Sequence, residues 1–426
     1  MNTQLDQQAR GLAGWRVLAP FALREYRLLI AALSLSIFAE GMWTVVMALQ
    51  VMHIDRDPTA LSLVASCLGI GLVAFILVGG IAADRFPQRS IIIAVETVNF
   101  TAVSVVAVLG ATGLLQIWHM AVAAALLGSA AAFFFPAYNA YLPRILPTEQ
   151  LLAAKGIEGV VRPVLQRAAG PAVAGVLVGA TFPSLGLGAV ALLFGIGLTL
   201  LIATRPVRQG FSNEHIGEKP HVLADLRDGF RFMAGTPWLR TTVAFASIFV
   251  LLVLGPIEVL LPFIAADRFA DGARMYGLML AAYGIGSALG AIGVSSGRMP
   301  RRYLTVMMLV WGPGALPLAL VGWTHSFAVL ATAMFIVGLT DGIGMVIWGT
   351  LLQRRVARNM VGRVSSLDFF VSLAFLPLSM AIAGPLSKIV SMQTIFIVAG
   401  IAPMMLAAIA WVAARMSADE LANPLR

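Results

Sequence analysis

Carboxylic acids stand inside long apolar runs of this chain, among them Glu40, Glu96, Glu258 and Asp341. Glu158, Arg162 and Arg167 share a fifth run. A charge at the centre of a bilayer costs at least a few kcal/mol, so each of these groups is a functional candidate. The chemistry open to such a carboxyl is the uptake and release of a proton. A low-dielectric site favours the neutral acid, and a nearby cation opposes it. At 1.5 Å per residue, Glu40 lies about 18 Å into its run, near the midplane. It is the first candidate for proton coupling, and the competing reading is a static pair with Arg167. Glu258 follows Gly255-Pro256 by two residues, where proline frees backbone carbonyls and permits bending. Asp341, flanked by Gly338 and Gly342, is a third candidate. Glu96 lies shallower, about 9 Å in, and reads as a structural acid paired with loop arginines. Glu158 and Arg162 are spaced to pair on one helix face. Asp368 reads as a first-turn anion that the helix dipole favours.

Other chemistries find no support in the sequence. The single cysteine, Cys67, allows no intramolecular disulfide and no Cys-based metal site. The three lysines are Lys155, Lys219 and Lys388, and none follows a glycine as a P-loop requires. Energy must then come from an ion rather than from ATP bound by this chain, and no cofactor or metal is expected.

The elements that position these acids are membrane helices. Charged residues make up 12% of the chain against 59% hydrophobic, where a soluble domain carries about 25% charged. A soluble enzyme, a nucleic-acid binder and a disordered protein are excluded. Twelve apolar segments are expected. They run over 28–50, 60–83, 91–113, 117–141, 156–180, 185–204, 240–264, 275–297, 303–323, 327–351, 364–387 and 392–414. Each is continuous rather than alternating, so the spans are helices and not barrel strands. The positive net charge of +9 has a topological origin. With the N-terminus inside, only Arg56, Arg268, Arg274 and Lys388 fall in outer connections, Arg162 and Arg167 fall within the fifth span, and the other 23 of the 29 Lys and Arg lie inside. Both termini are therefore expected in the cytoplasm. No cleavable signal peptide is expected.

The expected fold class is an all-α membrane protein with twelve transmembrane helices in two pseudo-symmetric six-helix bundles. The expected organisation is a tail over 1–27, a bundle over 28–204, a linker over 205–239, a bundle over 240–414 and a tail over 415–426. Within the linker, Val222, Leu223, Leu226, Phe230 and Met233 share one helical face, which reads as a short helix on the inner membrane surface, ended by Gly235 and Pro237. The halves repeat. Gly80, Arg85, Pro87 and Arg89 match Gly293, Arg298, Pro300 and Arg302, and Ala169-Gly170-Pro171 matches Ala383-Gly384-Pro385. Such duplication places a site at the midplane between halves that rock. Gly286 and Gly290 read as helix packing.

Twelve spans, the six-plus-six repeat and Gly80-x-x-x-Asp84-Arg85-x-x-x-Arg89 together resemble the major facilitator superfamily. The loop departs from that family at Pro87, usually glycine, and at Gln88, usually basic. Phe134-Phe135-Pro136-Ala137, Leu226-Arg227-x-Gly229-Phe230 and Gln353-Arg354-Arg355 with Gly362-Arg363 look more narrowly like a bacterial efflux branch. That branch includes the enterobactin exporter and Tap-like multidrug pumps. Gly170-Pro171 with Gly175 resembles the antiporter motif of span five. The resemblance implies that spans one, four, seven and ten line the cavity, which puts Glu40 on the transport path. It implies an inner latch in which Asp84, with Arg85 and Arg89, meets Arg363. The candidate substrate surface is Trp43, Met47, Phe134, Tyr138, Asn139, Met345 and Trp348, since aromatic and methionine side chains suit large apolar ligands. Gly170, Pro171, Gly255 and Pro256 are the candidate hinges.

The function expected is proton-coupled export of amphipathic, drug-like small molecules across a bacterial inner membrane by alternating access. A dedicated exporter of one endogenous metabolite, such as a siderophore or lipid, is the alternative. A non-transporting receptor or scaffold is disfavoured, because it has no need of costly embedded acids. The expected partners are a small-molecule substrate, protons and the lipid bilayer, with no nucleic acid, and the chain is expected to act as a monomer.

Overall fold

The computed structural model describes residues 16–205, 222–357 and 360–425. The side chains of residues 16–17, 84, 222–226, 362–363 and 366 lie outside that description. A short 3-10 helix, Arg16–Ala22, leads into α1 (Arg24–Ile54), α2 (Pro58–Arg85), α3 (Gln88–Ala111) and α4 (Ile117–Ile145). Next come α5 (Thr148–Arg162), a π-helical turn (Pro163–Ala169), α6 (Gly170–Ala180) and α7 (Pro183–Ile202). The linker helix is α8 (Val222–Gly235). Beyond it lie α9 (Pro237–Gly255), a second π-helical turn (Pro256–Leu260), α10 (Leu261–Arg268) and α11 (Gly272–Ser295). The chain ends with α12 (Tyr303–Trp311), α13 (Leu318–Val321), α14 (Phe327–Arg355), α15 (Val361–Leu373), α16 (Leu376–Ile389), α17 (Met392–Ala413) and α18 (Met416–Ala422).

Eleven helical stretches among the described residues are long and apolar enough to cross a membrane. The expected fifth span is not one of them. Residues 148–180 run helically without a break, but the π turn divides them into pieces too short to qualify, and Lys155, Glu158, Arg162 and Arg167 lower their apolarity. Hydroxyls inside the spans bond back to their own helices, as Ser34 does to the Ile30 carbonyl and Ser129 to the Ala125 carbonyl, so they enter the apolar phase satisfied. Proline opens α2, α7 and α9, where its missing N–H costs nothing. The exterior is apolar: Val108, Leu192, Ile409 and Val412 are more than 60% exposed, a surface that suits lipid and would aggregate in water.

The chain divides into two compact units. One comprises Met1–Arg56, Cys67–Gln209 and Asp271–Ala281; the other comprises Asp57–Ser66, Gly210–Ala270 and Ala282–Arg426. In the first, α1 packs on α6 and α7, and α3 packs on α4 and α7. In the second, α9 packs on α16 and α17, and α12 on α14 and α17. Helices in lipid gain little from apolar burial alone, so close backbone approach matters. It occurs at equivalent places in the repeat. A Cβ on Gly41 would strike the Gln166 carbonyl, and one on Gly255, 214 residues later, would strike the Ser379 carbonyl. Gly286 and Gly290 of α11 press on the Phe335 and Leu339 carbonyls of α14 in the same way, as their spacing implied.

Asp57 caps α2: its Oδ1 accepts from the Thr59 N–H at 2.9 Å and from the Thr59 hydroxyl at 2.7 Å. Its Oδ2 accepts from Lys388 at 2.5 Å. The Lys388 ammonium, then Thr59, hold its carboxyl down at about 2. A depressed carboxylate keeps its partners at every pH above that value and loses them only as pH falls through it, so this contact is not a pH switch.

The linker helix α8 and the helix α18 both pack on the spans. α8 packs on α9 and α15, with Met233 buried and Phe230 exposed. Val222, Leu223 and Leu226 of the expected amphipathic face lie outside the described side chains. In α18, Glu420 is 1% exposed. Its Oε2 accepts from the Leu304 and Thr305 N–H groups at 2.9 and 3.1 Å, and its Oε1 from the Thr305 hydroxyl at 2.6 Å. The start of α12 is thus capped by the end of the chain, and Arg355 of α14 binds the neighbouring Asp419. Glu420→Ala should strand these donors, cost about 2 kcal/mol and lower the Tm in detergent. An unchanged Tm would contradict the docking.

Candidate functional site

Glu40 is half-buried in α1, and its Oε2 accepts from Gln166 Nε2 at 2.8 Å. Gln166 belongs to the π turn that follows Pro163. The wider turn shifts the register so that Gln166, and not Arg167, meets the acid, which overturns the expected Glu40–Arg167 pair. Gly41, beside the acid, and Gly170, just past the π turn, let the two backbones touch. π turns of this kind recur at functional sites. Gln166 had a legible signal, since an amide in an apolar run needs a partner.

Glu96 does not pair with loop arginines. It is 1% exposed and meets the Ser36 hydroxyl, which donates to its Oε1 at 2.6 Å. It lies too deep in α3 for a loop to reach. Ser36 stands one helical turn from Glu40 on α1, so the two acids flank a common stretch of that helix. Glu158 and Arg162 approach to 3.6 Å as their spacing implied, and Glu158 also accepts from Lys155 at 2.9 Å.

In the second unit, Glu258 lies half-buried in the π turn after Gly255-Pro256. Asp341 of α14 accepts from the Tyr283 hydroxyl at 2.9 Å. Asp341 and Tyr283 line a cavity with Phe249, Ile257, Trp311 and Thr340. Trp348 presents little open surface. It is buried in the core and donates from Nε1 to Asp368 Oδ2 at 2.9 Å. Asp368 in turn lies well inside α15, not in the first turn of its helix, and also accepts from the Ser372 hydroxyl at 3.2 Å. Met345 is exposed.

Of the remaining expected substrate residues, Trp43 and Met47 are buried in α1 and present no open surface. Phe134 is half-buried and stacks on buried Tyr138, with centroids 5.8 Å apart. Asn139 is exposed and accepts from Lys155 at 2.6 Å. Of the expected latch, the side chains of Asp84 and Arg363 lie outside the described ones, and Arg85 is exposed. Arg89 is a structural cap instead: it donates to the Ile202 and Thr204 carbonyls at 3.0 and 2.8 Å and to the Thr204 hydroxyl at 3.0 Å. It thereby closes the orphan carbonyls at the end of α7. The hinge candidates Gly170-Pro171 and Gly255-Pro256 each adjoin a π turn.

Long apolar helices with a lipid-suited exterior, carrying acids far inside the spans, define a multi-pass membrane protein. Residues 29–374 match the Major Facilitator Superfamily, and the chain belongs to it. It is 29% identical over 275 residues to an uncharacterized MFS-type transporter, y4rN, of Sinorhizobium fredii (strain NBRC 101917 / NGR234). That match covers 63% of this chain and 65% of the relative's length. It is 25% identical to the multidrug efflux pump Tap of Mycobacterium tuberculosis (strain ATCC 25618 / H37Rv), over 87% of this chain and 88% of Tap. It is 24% identical to the enterobactin exporter EntS of Escherichia coli O1:K1 / APEC, over 80% of each. The fold is also that of the nucleoside transporter NupG, with a TM-score of 0.70 at 16% identity, over 91% of this chain and 98% of NupG.

Proposed function

We propose that the protein exports amphipathic, drug-like molecules across the bacterial inner membrane by proton antiport with alternating access. One observation carries the coupling part: Glu40 is a half-buried acid well inside a span, and it is held by a neutral amide rather than a cation. A carboxyl whose hydrogen bond comes from a neutral amide, with Arg162 acting on it only through space, can exchange a proton as its surroundings change. Asp341 and Glu258 are secondary candidates, and Gly170-Pro171 and Gly255-Pro256 are the places where the helices flex. The likeness to an efflux pump and to an exporter supports the outward direction. EntS also supports a second reading, a dedicated exporter of one endogenous product. The test is flux in proteoliposomes under an imposed pH gradient, with a panel of dyes, antibiotics and siderophores. A broad gradient-dependent response supports the first reading, a single responding compound the second, and no response rejects both.

Both termini lie in the cytoplasm on this reading. A C-terminal reporter that needs the cytoplasm should be active, and activity only with a periplasm-dependent reporter would reverse the orientation. The inner latch remains part of the mechanism, with Asp84 and Arg363 as its poles and without Arg89. Asp84→Asn should then lower flux severalfold, and exchanging the residues at 84 and 363 should restore part of it. Wild-type flux in Asp84→Asn would remove the latch.

A further inference from the structure

Tyr26 of α1 and Tyr138 of α4 are 0% and 1% exposed. Neither hydroxyl has a hydrogen-bond partner among the described residues. One terminal nitrogen of Arg162 is also buried without one. It lies 3.6 Å from Glu158 Oε1, close enough for an ion pair and too far for a hydrogen bond. Tyr26, Tyr138, Glu158 and Arg162 are near enough to act on one another electrostatically. Buried donors are almost always satisfied, and leaving one unmade costs its full desolvation. Three in one cluster point to an acceptor that does not belong to the chain.

The surroundings say what carries that acceptor. Phe134 stacks on Tyr138, and Phe135 stands edge-on to Phe134 with centroids 5.9 Å apart. Both phenylalanines are half-buried, and Asn139 and Lys155 beside them are exposed, so a ring can enter from the surface. The ring faces are already occupied by the chain's own cations. Lys155 lies 5.3 Å from the Tyr138 centroid, and Arg162 lies 4.6 Å from that of Phe135. A cationic ligand would have to displace them. Lys155 and Arg162 stand beside Glu158, and Arg162 is also within electrostatic reach of Glu40, so the feature that selects the ligand is the set of unmade donors rather than a net charge.

We propose that this cluster is a binding subsite for an aromatic anion, a carboxylate or phenolate on a planar ring. The anionic oxygen would take the Arg162 and tyrosine donors, and the ring would lie against Phe134. Calling that ligand a substrate rests on the exporter reading; the binding itself does not. The test uses the full chain in nanodiscs and two probes sharing one ring, 2-naphthoate and 2-naphthylmethylammonium, with affinity read by calorimetry. Naphthoate should bind more tightly than the cation. Arg162→Gln should weaken it by about tenfold, the scale of one lost charge-assisted bond. Because Arg162 also pairs with Glu158, Tyr26→Phe and Tyr138→Phe serve as variants that remove only a hydroxyl, and together they should weaken naphthoate severalfold and leave the cation unchanged. Tighter binding of the cation overturns the proposal. So does naphthoate binding that all three substitutions leave intact, which would mean that water alone satisfies the donors. Naphthoate binding without gradient-driven flux would reject the antiport and leave the subsite standing.

Discussion

Replacing Glu40 by glutamine should abolish the response of transport to a pH gradient while substrate binding persists. Glutamine keeps the size of the side chain and a carbonyl oxygen for Gln166, so the contact between α1 and the π turn survives. It cannot take or release a proton. A gradient of one pH unit is worth about 1.4 kcal/mol per proton, or about tenfold accumulation. In vesicles holding the variant that ratio should fall to one, with exchange of labelled substrate continuing. Glu258→Gln and Asp341→Asn should have smaller effects. If Glu40→Gln vesicles still accumulate substrate with the gradient as wild type does, coupling lies elsewhere. Asp341 with its Tyr283 partner would then be the next group to test.

Gly41→Val should be nearly as damaging by a different route. The Cβ would meet the Gln166 backbone carbonyl, and Cα and C of the same residue stand just behind it at 2.9 Å. Backbone cannot rotate away as a side chain can, so the helices must separate. Overpacking costs about 1–3 kcal/mol, and here it also moves Gln166 away from Glu40. Gly255→Val should behave alike against Ser379, its counterpart in the repeat. Gly156→Ala is the control: nothing lies within 4 Å of its Cβ position, and alanine favours the helix by up to about 1 kcal/mol. Tm and flux at wild-type values in Gly41→Val would show that the two backbones do not touch.

The fold was legible because bilayer thickness leaves a long apolar signature and helix is the only form these continuous runs can take. The repeat was legible where it falls in loops, as at Gly80 and Gly293, because turn residues stand out against apolar runs. Its counterpart at Gly41 and Gly255 was not, since a glycine inside a span shows nothing of what it touches. The acids were legible by their cost, and their partners mostly were not. Arg167 looked like the partner of Glu40 at the right depth, but a π turn alters which side chain faces across, and pattern alone does not announce that turn. Trp348 suited a ligand surface by type, yet its N–H sought Asp368. Arg89 carried a motif's expected role in the sequence and caps a helix in the structure. Tyr26 and Lys155 passed unnoticed, because a cluster assembled from three helices leaves no spacing to read.

Proton antiport makes one demand that neither a uniporter nor a scaffold meets: substrate movement must itself move protons. The direct measurement is a substrate gradient imposed on proteoliposomes with no initial pH difference, a pH-sensitive dye inside and the membrane potential clamped. Antiport at Glu40 predicts that substrate flowing out of wild-type vesicles acidifies the lumen, that substrate flowing in makes it alkaline, and that neither happens with Glu40→Gln. Substrate flux through the wild type with no change in luminal pH would contradict it.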